Sequence, residues 1–124
     1  MGEYKKINEI QMFTQTLQDS REVLLASFTY RDIKVPAGFI FDGASTPRIF
    51  WSIIPPYKMT KRAACVHDWL CRNAKNKEDR KEADKIFMEA LEEMGLNRFR
   101  IILGYMGVRI GALFGAGVYY KEKK

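Results

Sequence analysis

One histidine is present in the chain, His67, and an aspartate, Asp68, follows it directly. On a helix, His67 shares its face with Ala63, Ala64, Leu70 and Cys71, all small or apolar. That spacing aims the imidazole at the core and rotates Asp68 about 100° away from it. The two side chains can then serve different partners, His67 a proton and Asp68 a metal ion. Asp84 is the next carboxylate of interest. It leads into the stripe Ala83, Phe87, Ala90, Leu91 and Met94, while Glu82, Lys85, Glu89, Glu92 and Glu93 take the outward face. An inward carboxylate is costly unless it is paired, hydrogen-bonded or metal-bound. An antiparallel partner helix can bring Asp84 to His67. Asp42 is the third carboxylate: it follows the strand-like Phe39-Ile40-Phe41 and precedes Gly43. Carboxylate and loop carbonyl oxygens together suit a hard cation such as calcium.

Plainer readings stand beside each of these. His67 can be a core histidine satisfied by one hydrogen bond, next to a surface aspartate. Asp84 can favour the helix dipole or pair with an arginine, and Asp42 can form an Asx turn or a helix cap. Ser45 lacks a G-x-S-x-G elbow and would compete for the single histidine, which argues against a serine nucleophile. Cys65 and Cys71 lie six apart on one helix and project to different sides, so they cannot bridge. No Cys/His set has zinc spacing.

The elements that must carry these residues divide the chain in two. Residues 1–58 read as strands and turns. Ile7–Leu17 is mixed, Gln18-Asp19-Ser20-Arg21 is a turn signal, and Glu22–Tyr30, Ile33–Val35 and Phe39–Phe41 are strand candidates. Asp42-Gly43-Ala44-Ser45-Thr46-Pro47 is a loop by composition, Ile49–Ile54 is apolar, and Pro55-Pro56 closes the half. Residues 59–120 read as three helices. The first is capped by Thr60 and runs to about Arg72. The second is capped by Asn76 and runs through Met94 to Gly95. The third is capped by Asn97 and runs from Arg98 to Tyr119. Strands followed by helices give an α+β fold: an N-terminal antiparallel sheet, then three C-terminal helices, in a single domain over 1–124.

The 124 residues, 47% of them apolar, suffice for a core without disulfides. The polar Met1–Asn8 argues against a signal peptide. Net charge is +6, of which +5 falls within residues 98–124. That excess brackets an apolar segment, and no basic–aromatic interleaving marks a nucleic-acid surface, so nucleic-acid binding is not expected. Ile101–Tyr120 carries one charge, Arg109. Its length suits a bilayer, but Arg109 would lie near the bilayer centre, at about 2.5–3.5 kcal/mol. A buried helix packed tightly on the sheet or on the other two helices is the expected reading, in which a partner such as an aspartate can hold Arg109. Membrane-surface contact through residues 98–124 is the alternative.

Several motifs fall in a fixed order. They are Val35-Pro36-x-Gly38-Phe39-x-x-Asp42-x-Ala44-Ser45-x-Pro47, Ala63-Ala64-x-x-His67-Asp68-Trp69-Leu70, Ala83-Asp84-x-x-Phe87 and Tyr105-x-x-Val108-Arg109-x-Gly111. Together they resemble a small uncharacterised family encoded by bacteriophages and prophages. The resemblance implies a phage or prophage origin, other phage proteins as partners, and the host cytoplasm or virion as location; it supplies no activity. Locally, His67-Asp68-Trp69-Leu70-Cys71-Arg72-Asn73 and Arg80-x-x-x-Asp84-x-x-Phe87 are similar to the catalytic helices of bacterial and fungal secreted phospholipases A2. That similarity implies His67 as general base, Asp84 as its orienter, Asp68 as a Ca2+ ligand and Asp42 as the upstream loop ligand. Cys65 and Cys71 do not follow that family's disulfide spacing, and the β-rich half has no counterpart in it. Three functions follow as expectations: a metal-assisted hydrolase, a non-catalytic virion, tail or assembly protein with a buried polar network, or a membrane-associated accessory factor.

Overall fold

The computed structural model describes residues 6–18, 21–41, 57–115 and 118. A 3-10 turn, Ile7–Glu9, comes first. Five short strands follow: β1 (Thr14–Thr16), β2 (Glu22–Leu24), β3 (Phe28–Tyr30), β4 (Ile33–Val35) and β5 (Ile40–Phe41). Helices α1 (Tyr57–Asn73), α2 (Lys77–Glu93) and α3 (Arg98–Leu113) complete the order, so the fold is α+β with an antiparallel N-terminal part. The strands make two pieces instead of one sheet, β1-β2-β5 and β3-β4. The expected strand Glu22–Tyr30 is therefore two strands. Its ladder ends where the Leu25 N–H donates to the Phe13 carbonyl at 2.8 Å. The chain then leaves the sheet through Leu25-Ala26-Ser27, and β3 pairs with β4 around Arg31-Asp32. Gly38, at φ +90°, makes the turn into β5 in a conformation that side chains resist.

The helices form for legible reasons. The Asn76 side chain accepts from the Asp79 N–H at 2.8 Å, with Glu78 and Asp79 in the first turn of α2. Gly95, at φ +86°, ends that helix. Asn97 caps α3 by accepting from the Arg100 N–H at 2.8 Å. Two expected ends move. Helix α1 begins at Tyr57, so Thr60 is inside it: nothing in Tyr57-Lys58-Met59 opposes helix. Helix α3 stops at Leu113, not Tyr119, because Gly115 takes φ +86° two residues later. No helix among the described residues is long and apolar enough to cross a membrane. Helix α2 packs against both α1 and α3. One core joins Ile7, Leu24, Tyr30, Val35 and Phe41 of the β part to Val66, Phe87, Leu91, Ile101 and Val108 of the helices.

Candidate functional site

Asp84 is fully buried on α2, and all three helices meet at its carboxylate. Its Oδ1 accepts from Nε of Arg80, one turn earlier, at 2.8 Å, and lies 2.6 Å from Nε2 of His67 on α1. Its Oδ2 accepts from Nη1 of Arg109 on α3 at 2.7 Å. Arg80, only 3% exposed, also donates Nη2 to the Val108 carbonyl at 3.0 Å, a second tie to α3. Burial pushes the Asp84 carboxyl up, but the hydrogen bonds and charges of His67 and Arg80 outweigh it and hold the group below its ordinary range. An ionised carboxylate only accepts hydrogen bonds. Nε2 of His67 must therefore carry a proton, and in the neutral ring the lone pair sits on Nδ1. The His67 side chain is 15% exposed and its ring packs 4.8 Å from that of Phe87.

Cys71 lies beside this pair, its Sγ 3.5 Å from Nε2 and 4.0 Å from Nδ1 of His67. Burial first, then Asp84 and Asp68, push its thiol up to about 12 against the lowering effect of Arg80. That upward push favours the thiol over the thiolate, which disfavours Cys71 as a nucleophile. His67, Cys71 and Asp84 bring potential metal-ligating atoms within 4.8 Å of one another. Both Asp84 oxygens already accept from arginines, so a cation there would have to compete with those hydrogen bonds.

The expected residues thus separate. His67 and Asp84 come together, as two facing helices allow, and Arg109 pairs with the same buried aspartate. Asp68 is buried instead of lying on the surface, with its Oδ1 3.9 Å from Nε of Arg72. Asp42, Ser45 and the apolar Ile49–Ile54 lie outside the described residues. Glu89 and Glu93 are half-buried, although their positions on α2 read as solvent-facing. Arg31 donates to Glu89 at 2.6 Å and to Glu93 at 3.1 Å, and the Tyr30 hydroxyl donates to Glu93 at 2.8 Å. Arg80 has no role assigned by its residue type alone. Its signal was present: it precedes Ala83, Asp84 and Phe87 by three, four and seven residues, which places it on the buried stripe.

A family model described as a protein of unknown function (DUF1353) matches residues 21–108, from β2 into α3, and takes in His67, Arg80 and Asp84. No curated protein and no solved structure matches the chain.

Proposed function

We propose that this chain, which belongs to the DUF1353 family of unknown function, is a hydrolase in which His67 is the general base. The observation carrying the reading is the 2.6 Å contact between Nε2 of His67 and the ionised Asp84, which leaves Nδ1 as the basic nitrogen of a partly exposed ring. Nδ1 takes a proton from water, the hydroxide oxygen bonds to the carbonyl carbon of an ester, the acyl–oxygen bond breaks, and the proton passes to the departing alkoxide. Asp84 holds the tautomer and the ring orientation. Calcium, held by Asp68 together with Asp42, would polarise the carbonyl. A phage or prophage source remains part of the proposal through the motif resemblance.

A second reading is favoured by one observation: Asp84 is fully buried and ties α1, α2 and α3 together. On that reading the network only holds the helices, in a virion or assembly protein. One experiment separates the two. Purified protein and His67→Gln are assayed on nitrophenyl and phospholipid esters, with calcium or with chelator, and both are melted. Hydrolysis that falls at least about 100-fold in a variant of near-native Tm supports the base. No hydrolysis by the unaltered protein, with a His67→Gln protein melting far lower, sinks it and favours the structural network. Calcium that raises the Tm of the unaltered protein but not of Asp68→Asn supports the metal; equal melting curves remove it.

A further inference from the structure

Helix α3 is apolar on both sides. Its inner face, Ile101, Gly104, Gly107 and Val108, is buried. Its outer face presents Phe99, Ile102, Met106, Ile110 and Leu113, with Phe114 at its cap, and all of these are exposed, Phe99 at 71% and Leu113 at 80%. The spacing of three, four, four and three residues makes a continuous stripe along the whole helix. An apolar row of this length is more than the scattered exposed side chains of an ordinary surface.

The charges around the stripe indicate what covers it. Arg98 and Arg100 stand on its two flanks, 160° apart around an ideal helix by their spacing. No acidic residue occurs from Arg98 to Lys121, and Lys121, Lys123 and Lys124 follow against Glu122 alone. A second copy docked in parallel by the same face would set arginine against arginine. A convex row of large flexible side chains offers no groove for a shaped partner, but it needs none in order to enter lipid. We propose that α3 docks this protein in the plane of an anionic membrane surface, its outer stripe among the acyl chains and Arg98 and Arg100 at the headgroups. Helix α3, as described, is not long and apolar enough to cross a membrane, so the docking proposed for it is in the surface plane. This inference does not depend on the His67 reading.

Co-sedimentation of the full chain with vesicles tests it. Binding is expected to vesicles of phosphatidylglycerol and phosphatidylcholine, to weaken in 0.5 M salt, and to be far lower with phosphatidylcholine alone. Arg98→Gln with Arg100→Gln should weaken it about 30-fold. Ile102→Ser with Met106→Ser should weaken it about 100-fold while the Tm stays within about 3 °C. No binding to anionic vesicles overturns the proposal. So does a large fall in Tm for the serine variant, which would mean that the chain's own fold covers the stripe. Dimerisation in free solution that the serine variant abolishes would assign the face to a second copy and likewise overturn the lipid.

Discussion

Helix α2 carries two acid–arginine clusters a little over two turns apart, and they differ in how much water they keep. At Asp84 the carboxylate is sealed, and its partners come from α1, α2 and α3. At Glu93 the carboxylate is 24% exposed; Oε1 accepts from the Ile7 N–H at 2.9 Å, and Oε2 accepts from Tyr30 and Arg31 of the β3–β4 hairpin. Burial raises both acids, and their hydrogen bonds bring both below the ordinary range. The two sites therefore share a sign but not a consequence. Water can replace a lost partner at Glu93. At Asp84 it cannot, and each broken contact leaves a buried charge behind. The sealed cluster fixes the helix geometry that presents His67, and the open one pins the hairpin to the helices.

The contrast can be broken most forcefully at Asp84. Asp84→Ala leaves Arg80 buried without its carboxylate and should cost about 3–5 kcal/mol by urea unfolding. Arg80→Met removes one of three donors to Asp84 and the tie to Val108, and should cost about 2–4 kcal/mol in the same assay. Acid response comes next. A carboxyl depressed in the fold contributes its stability in full above its unfolded value, about 4, and loses it as pH falls through the folded value. Stability should fall below about pH 4, with a shallower acid limb in Asp84→Ala than in the parent. An unchanged limb would mean that Asp84 is not ionised by its partners. Glu93→Ala should cost only about 1–2 kcal/mol. Smallest of all is Arg31→Gly. Arg31 sits at φ +57°, a strained conformation that glycine relieves, while its ion pairs are each worth under about 1 kcal/mol. The two effects should cancel to within about 0.5 kcal/mol, whereas Arg31→Val keeps the strain, loses the pairs and should cost more.

How far the sequence was legible followed how local the physics was. The caps Asn76 and Asn97 and the stop at Gly95 act within one helical turn and could be read directly. The inward aim of His67 and Asp84 followed from the 3.6-residue period of their neighbours. Three features depended on distant chain. The break after Leu24 is set by pairing with Phe13 and Phe39. Glu89 and Glu93 read as solvent-facing until the hairpin supplied Tyr30 and Arg31. The burial of Arg80 is not legible from its type, since a long basic side chain usually belongs outside and only a buried acid one turn on draws it in. Glu22 makes the same point. It is buried in β2 because the Thr16 hydroxyl at 2.7 Å and Lys61 of α1 at 3.3 Å reach it.

His67 is the lone histidine, so the protonation pattern of its ring is directly measurable. Long-range proton–nitrogen NMR of uniformly labelled protein, at a pH where the ring is neutral, assigns the His67 nitrogens without ambiguity. A pyrrole-type Nε2 and a pyridine-type Nδ1, changing to a mixture in Asp84→Asn, is the predicted result. A proton found on Nδ1 instead, or a tautomer that ignores Asp84→Asn, would contradict the claim and remove the base from the proposed hydrolase.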